Sequence, residues 1–182
     1  ADYGVVSELY AWVAFLVVFL TFGMETAFFR FIQDATDRKK VMSNALWVVL
    51  IVNVVFYLLL LQFNNDIAEA MLFEGHNEYI VLMGTIVCID ATSALPLAEL
   101  RAEDKAKRFA TIQLLSIGVN ICLNVLFMLF LFDKMRPEEG VLFILIANLL
   151  SSLVKPIMLF ESYSLLRLGI DKETTKKMLI YA

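Results

Sequence analysis

Residues 109–132 read FATIQLLSIGVNICLNVLFMLFLF, a run of 24 residues without one charged side chain. A bilayer core about 30 Å thick is crossed by roughly 20 apolar residues in α-helix. The run lacks the strict apolar/polar alternation that a transmembrane β-strand requires. Because only helices and closed barrels span lipid, these residues predict a transmembrane helix.

Four other segments have the same apolar character. Residues 9–24 and 41–65 carry no charge, residues 79–98 carry only Asp90, and residues 140–166 carry only Lys155 and Glu161. Hydrophobic residues form 60% of the 182-residue chain, whereas a soluble domain is usually nearer half apolar. A soluble core of this size cannot bury five such segments. The sequence therefore predicts an all-α protein, a polytopic transmembrane helix bundle.

The chain is predicted to form a single membrane domain over residues 1–182. Helices are expected at about residues 5–32, 42–63, 79–98, 109–132 and 140–166, and a further helix is expected to start at about residue 176. Residue 1 is Ala and no signal peptide is present. We therefore expect a helix before this chain and more protein after it, so that the chain is one part of a longer protein.

Basic residues mark one side of the membrane. Of the 15 Lys and Arg, 12 follow the first, third and fifth predicted helices: Arg30, Arg38, Lys39, Lys40, Arg101, Lys105, Lys107, Arg108, Arg167, Lys172, Lys176 and Lys177. Residues 64–78 contain acidic residues but no Lys or Arg. Because short cytoplasmic loops are enriched in Lys and Arg, the basic connections are expected in the cytoplasm, with the N-terminus outside and the C-terminus cytoplasmic. The net charge of −4 argues against a nucleic-acid partner.

Ionisable residues inside a membrane are costly and by default indicate a functional site. At about 1.5 Å per residue, Glu25, Asp90 and Lys155 fall in the cytoplasmic half of the predicted helices. Arg30 and Glu161 fall near the inner surface, where a snorkelling role is at least as reasonable. Asp90 matches the depth of Lys155 best, and Glu25 is the alternative partner. Charges at similar depth predict a polar cavity open to the cytoplasm, although a purely structural ion pair is the alternative.

Uncharged polar residues form stripes on two of the predicted helices. Gln113, Ser116, Asn120 and Asn124 share one face of the fourth, and Asn148, Ser151, Ser152 and Lys155 share one face of the fifth. Such stripes either line a wet cavity or hold helices together. Pro156 removes the hydrogen bond to the carbonyl of Ser152 and predicts a kink and a hinge beside Lys155.

Enzyme chemistry has little support in the sequence. The only histidine, His76, has no cysteine or second histidine near it, so metal-ligand spacing is absent. No G-x-S-x-G, P-loop or G-x-G-x-x-G motif occurs. Cys88 and Cys122 lie in apolar runs and are expected to pack as small hydrophobic residues. We expect neither an enzyme, nor a metal site, nor a cofactor.

Three stretches resemble a known family. YGVVSELYAWVAFLVVFLTFGMETAFFRF (residues 3–31) resembles the second transmembrane helix of the Wzx-type polysaccharide flippases. ALPLAELRAEDKAKRFA (residues 94–110) resembles the loop after their fourth helix, and the Asn-rich IGVNICLNVLF (residues 117–127) follows it. These flippases belong to the multidrug/oligosaccharidyl-lipid/polysaccharide (MOP) exporter superfamily.

The resemblance implies a specific architecture and function. The five helices would be the second to sixth of a 12- to 14-helix MATE-like transporter, a partial N-terminal lobe. The family moves undecaprenyl-pyrophosphate-linked oligosaccharide from the inner to the outer leaflet of the bacterial cytoplasmic membrane by alternating access. Arg30, Lys155, Asn120, Asn124 and Asn148 would then line a substrate cavity, with the two cations facing the anionic head group. Glu25 and Asp90 would couple transport to a proton or sodium ion, or hold those cations.

Three other functions are compatible with parts of the sequence. A cation-coupled multidrug exporter of the same superfamily would use Glu25 and Asp90 as its working acids. A membrane-embedded transferase for lipid-linked sugars would need a longer catalytic loop than this chain contains. A non-transporting scaffold would not need a buried Lys155.

The buried charges of this chain are of both signs, whereas the cavity of the family is often cationic.

Overall fold

The computed structural model describes residues 2–33, 37–71, 76–130, 140–164 and 171–181. Regular secondary structure within these ranges is α-helical throughout, which confirms the all-α prediction. The helices are α1 (Asp2–Thr21), α2 (Met24–Gln33), α3 (Arg38–Gln62), α4 (Asn64–Ala70), α5 (Asn77–Ala102), α6 (Ala106–Phe130), α7 (Gly140–Met158), α8 (Phe160–Ser164) and α9 (Lys172–Tyr181).

Several of these helices can cross a membrane. In the described part of the chain, α3, α5, α6 and α7 are long and apolar enough by length and composition, and α1 with α2 makes a fifth span if the bent pair is counted as one. The predicted polytopic helix bundle is confirmed, and the protein is a multi-pass membrane protein.

Helix ends differ from the predicted ones by a few residues. The helices α3, α5 and α6 each begin earlier than expected, at Arg38, Asn77 and Ala106. Asp37 explains one of these starts, because its side chain caps α3 by accepting a hydrogen bond from the Lys40 N–H at 3.2 Å. The predicted ends at residues 132 and 166 lie outside the described residues.

The first predicted helix, residues 5–32, is divided in the structure. Its two parts, α1 and α2, are bent by 41° at Phe22 and Gly23. Both residues have positive φ, 50° for Phe22 and 64° for Gly23, a conformation that glycine adopts without steric penalty. Phe22 N–H donates to the Phe19 carbonyl at 3.1 Å, which tightens the last turn of α1.

The helix α5 lies at the centre of the bundle. It contacts α1, α2, α3, α4, α6 and α7, and more than half of its apolar span is buried. Gly84 lets α3 approach closely, because a Cβ atom built at this position would lie 2.5 Å from Leu60 Cδ1. The helix α5 is therefore the one on which most of the other helices pack.

The short helix α9 packs on α2 and α3. Met178 is 1% exposed and joins the buried cluster that contains Met24, Phe28 and Leu46. Asp171 precedes α9, and its carboxylate forms an ion pair with Lys40. These contacts hold α9 against the end of the bundle that carries the basic connections, which we call the basic end: residues 37–40 and 101–108.

Candidate functional site

The two predicted polar stripes face each other across a cavity. The cavity measures about 220 Å³ and lies between α5, α6 and α7. It is lined by Asp90, Gln113, Ser116, Ile117, Asn120, Ile121, Asn148, Ser151, Ser152 and Lys155. Since α6 packs extensively on α7, the residues that share a face of each helix in the sequence meet in space. The sequence predicted both faces, and in the structure Asp90 on α5 lines the same cavity.

Asp90 and Lys155 form an ion pair inside this cavity. Lys155 Nζ lies 2.8 Å from Asp90 Oδ1, and the side chains are 18% and 21% exposed. The depths estimated from the sequence favour Asp90 over Glu25 as the partner of Lys155, and the structure pairs Asp90 with Lys155. An ammonium group in a membrane bundle needs an anion or water to offset its lost hydration. Asp90 supplies that anion and lies near the midpoint of α5.

Amide and hydroxyl groups continue the polar surface away from the ion pair. Asn120 Nδ2 donates to Asn148 Oδ1 at 3.3 Å and to Ser151 Oγ at 3.0 Å. The Ser116 hydroxyl donates to the Ser151 carbonyl at 2.8 Å. These bonds join α6 to α7, so the stripe holds helices together and lines a cavity at once.

Asn124 continues the amide row one turn beyond the cavity. Its Nδ2 donates to Asn120 Oδ1 at 2.9 Å, and also to the Asn120 carbonyl at 2.9 Å. Asn124 is not among the residues that line the cavity. It therefore orients Asn120, whose own Nδ2 points to α7.

Glu25 and Arg30 lie outside the cavity. Glu25 Oε1 lies 2.5 Å from Arg101 Nη2, and both side chains are about two-fifths exposed at 38% and 43%. The Arg101 guanidinium also lies over the rings of Phe29 and Phe109, at 5.4 Å and 5.5 Å from their centroids. Arg30 is exposed on α2. Seven charged or amide residues were predicted at the cavity, and four of them line it: Asp90, Asn120, Asn148 and Lys155. Asn124 lies one turn beyond the cavity, and the two residues on α2 lie apart from it.

Sequence reasoning missed Arg101 as the partner of Glu25. The available signal was depth, because Glu25 near the inner end of the first span and Arg101 at the inner end of the third are at similar height. The charge pattern predicts Arg101 in a basic connection, whereas it belongs to the last turn of α5. From that turn its side chain reaches Glu25 on α2.

A second group of charges joins α6 to the end of α7. Arg108 Nη1 lies 2.8 Å from Glu161 Oε2, and its Nη2 donates to the Met158 carbonyl at 3.3 Å. Met158 is the last residue of α7, so the guanidinium satisfies a carbonyl that the helix leaves without a partner. Glu161 was expected near the inner surface, and its side chain is 77% exposed there. Glu99, 8% exposed, is buried in the same region and was not foreseen.

Pro156 lies within α7 and directly follows Lys155. The helix continues for two residues beyond it, ends at Met158, and is followed by α8 from Phe160. Leu159 N–H donates to the Lys155 carbonyl at 2.9 Å, so helical bonding continues past the proline. Pro156 therefore weakens α7 at Ser152, within the wall of the cavity. Its role as a hinge stays a prediction.

Other candidate chemistry is sparse in the described ranges. Within them, no group of three or more His, Cys, Asp or Glu side chains is placed to hold a metal ion. Another cavity, of about 410 Å³, lies between α3 and α5 and is mainly apolar. Cys88 lines it half-buried, and burial among apolar neighbours is the state expected of an unreactive thiol.

Comparison with known proteins places this geometry in a family. No curated protein and no solved structure matches the chain at a significant level. A family model described as "polysaccharide biosynthesis protein" matches residues 1–182. The match confirms the family predicted from the sequence resemblance. The chain belongs to the polysaccharide biosynthesis protein family, a flippase family of the MOP superfamily.

Proposed function

We propose that the protein carries an anionic lipid-linked oligosaccharide from the inner to the outer leaflet of the bacterial cytoplasmic membrane. The substrate class is an undecaprenyl-pyrophosphate-linked oligosaccharide, moved by alternating access and left chemically unchanged. The observation that supports this proposal best is Lys155, a cation held within a polar cavity of a membrane helix bundle. Family membership supports a role in polysaccharide biosynthesis.

The chemistry of the cavity suits the head of such a substrate. An ammonium group attracts phosphate oxygens, and the amides of Asn120 and Asn148 both donate and accept hydrogen bonds as sugar hydroxyls require. The cavity of about 220 Å³ is smaller than typical ligand pockets of roughly 300–1,000 Å³. It therefore takes one part of the substrate, a phosphate group or one sugar, while the rest of the substrate contacts membrane lipid and other parts of the protein.

The described ion pairs favour an anionic substrate over a cationic drug. A drug exporter of the same superfamily would use Glu25 and Asp90 as free working acids. In the structure Glu25 pairs with Arg101 and Asp90 pairs with Lys155. A carboxylate already held by a cation attracts a second cation weakly, whereas Lys155 can exchange its carboxylate for a phosphate. In this proposal, transport is coupled to a proton or a sodium ion. The basic end of the bundle faces the cytoplasm.

A charge exchange tests whether Lys155 binds substrate or only joins helices. Lys155→Ala should lower delivery of lipid-linked oligosaccharide to the outer leaflet by the full-length protein. The double variant Asp90→Lys with Lys155→Asp keeps both charges and their attraction, so it should restore the membrane level of the protein. It should not restore transport, because the cation has moved to α5 and no longer faces the substrate as Lys155 did.

Lys107→Ala is the matched control. Lys107 is an exposed lysine at the start of α6 and does not line the cavity, so its removal should leave transport near normal. Normal transport by the exchanged protein would mean that the pair is structural, and the proposed cationic site would then be rejected.

A further inference from the structure

The polar side chains that line the cavity between α5, α6 and α7 differ in how far they are already hydrogen-bonded within the protein. Asn120 Nδ2 donates twice to α7, to Asn148 Oδ1 and Ser151 Oγ. Asn120 Oδ1 accepts from Asn124, and the Ser116 hydroxyl donates to the Ser151 carbonyl. An amide has two N–H donors, so both donors of Asn120 are in use. A ligand can take a hydrogen bond from Asn120 only if a bond between α6 and α7 is given up.

Gln113 differs from Asn120, because its amide makes no hydrogen bond to any residue in the described part of the chain. Its side chain lines the cavity from α6 and is half-buried. A carboxamide carries two N–H donors and an oxygen that accepts. Gln113 can therefore offer all of these groups to a ligand without breaking a contact between helices.

The pairing of α6 with α7 places Gln113 at the level of Lys155. Asn120 bonds to Asn148, and one turn back along α6 Ser116 bonds to Ser151, one turn further along α7. The two helices are thus antiparallel, and the next turn reaches Gln113 on α6 and Lys155 on α7. Both side chains line the cavity. The uncommitted amide and the cation therefore lie at the same end of the cavity.

Ser152 provides further uncommitted groups one turn from Lys155. Its side chain lines the cavity, and its hydroxyl makes no hydrogen bond to a residue within the described ranges. Its carbonyl lacks the helical N–H donor four residues on, because that residue is Pro156. Gln113 and Ser152 thus bring oxygen atoms that need a donor close to the cation.

These oxygen atoms distinguish a sugar from a bare phosphate. An ionised phosphate oxygen accepts hydrogen bonds and has no hydrogen to donate, whereas a sugar hydroxyl both donates and accepts. A phosphate at Lys155 would leave Gln113 Oε1 without a donor, and a sugar attached to that phosphate would supply one. A site that hydrogen-bonds a hydroxyl discriminates against a ligand that lacks it.

We propose that Gln113 is a specificity-determining residue that binds a hydroxyl of the sugar next to the phosphate, so that the cavity prefers a glycosylated carrier lipid to the unglycosylated one. This inference rests on the proposed function and names the part of the substrate that Gln113 reads. Lys155 attracts the phosphate of either lipid, and Gln113 separates the two.

The test compares two lipids of equal charge on the purified full-length protein. One is geranyl pyrophosphate esterified at its terminal phosphate with glucose, and the other is the same lipid esterified with methanol. Only the first has hydroxyl groups. Since one neutral hydrogen bond corresponds to about three- to tenfold in affinity, the unaltered protein should bind the glucosyl lipid more tightly by about that factor.

Gln113→Met removes the amide and keeps an unbranched side chain of similar length. It should weaken binding of the glucosyl lipid about three- to tenfold and leave binding of the methyl lipid unchanged. Gln62→Met is the matched control, because Gln62 is exposed at the end of α3 and does not line the cavity. It should leave binding of both lipids unchanged. If Gln113→Met does not accumulate, Gln113→Asn makes the same comparison, because it withdraws the amide by one methylene group.

The remaining outcomes separate this inference from the proposed function. Equal affinity of the unaltered protein for the two lipids, or a preference that persists without the Gln113 amide, would overturn the inference and leave the proposed function standing. Equal weakening of both lipids by Gln113→Met would assign Gln113 a structural role and also overturn it. Lys155→Met should weaken binding of both lipids. Unchanged binding of both by that variant would reject the cationic site, and with it both proposals.

Discussion

Substituting alanine for Gly84 tests whether close packing of α3 on α5 is a feature of the folded protein. The added Cβ would lie 2.5 Å from Leu60 Cδ1, 3.2 Å from Cδ2 and 3.4 Å from Cγ. All three atoms belong to one side chain that is 5% exposed. Leu60 must therefore rotate, and it borders an apolar cavity of about 430 Å³ that can receive it.

The expected cost follows from two opposing effects. Overpacking of a well-packed core typically costs about 1–3 kcal/mol, and the neighbouring cavity places Leu60 in the lower half of that range. Alanine is favoured over glycine within a helix by roughly 1 kcal/mol. The net destabilisation from Gly84→Ala should therefore be small, between about 0 and 1 kcal/mol.

Gly118→Ala isolates the packing effect. A Cβ at Gly118 on α6 would have no atom within 4 Å, so this change keeps the helix preference without the clash. It should stabilise the protein by up to about 1 kcal/mol. The difference between the two substitutions, about 1–2 kcal/mol, then measures the contact with Leu60.

Unfolding in detergent micelles, followed by tryptophan fluorescence, would measure both variants. In a Leu60→Ala background the clash is gone, so Gly84→Ala should behave like Gly118→Ala. Equal effects of the two glycine substitutions in the unaltered background would refute the close approach of α3 and α5. The outcome also concerns function, since Asp90 lies six residues after Gly84 on the same helix.

Three further predictions address topology, the helix break and the docking of α9. In a cysteine-free background, a single cysteine at Asn77 should react with a membrane-impermeant thiol reagent in intact cells, and one at Ala102 only after the membrane is opened; the reverse pattern would invert the proposed orientation. Gly23→Ala should destabilise the protein by about 1 kcal/mol in the same unfolding assay, because φ at Gly23 is 64°; no loss would mean that the bend tolerates a side chain. The Lys40 ammonium, which forms an ion pair with Asp171, lowers the pKa of that carboxyl to about 2. Because the pKa is lowered, this pair stabilises the docked α9 above about pH 4 and is lost only as the pH falls toward 2. Hydrogen exchange of residues 172–181, corrected for its intrinsic pH dependence, should therefore show constant protection from pH 8 to 5. Asp171→Asn should reduce that protection. Equal protection in both proteins would show that apolar contacts suffice to hold α9.

The spans and the polar stripes could be predicted because both are local properties of the sequence. The absence of charge over residues 109–132 fixes a spanning helix whatever surrounds it. The helical repeat then places Asn120 and Ser116 on one face before any neighbour is known. Facing stripes on consecutive helices joined by a short connection meet when those helices pack side by side.

The break at Phe22 and Gly23 could not be predicted in the same way. One glycine in an apolar helix is tolerated and gives only a weak signal. The positive φ of the bulky Phe22 is costly and must be offset by contacts that form after the bend. The helix α2 supplies them, since Met24, Ala27 and Phe28 are fully buried against the cluster that α3 and α5 share. Tertiary packing, which a single sequence does not display, determines the bend.

Under the proposed function, the mixed charges of the cavity follow from what the transporter must tolerate when no substrate is bound. A lone lysine at the centre of a bilayer costs about 2.5–3.5 kcal/mol on insertion scales. Lys155 lies in the last turn of α7, where a part of that cost would persist whenever substrate is absent. Asp90 at 2.8 Å removes the unpaired charge in that state. In the proposed transport cycle, the same carboxylate would compete with an incoming phosphate, which would weaken binding and allow release on the far side of the membrane. A purely cationic cavity would bind the head group more tightly. It would also be less stable when empty, and it would release the head group more slowly. Under the proposed function, the pairing of Lys155 with Asp90 keeps the carrier stable without its cargo and still lets a phosphate group compete for the lysine.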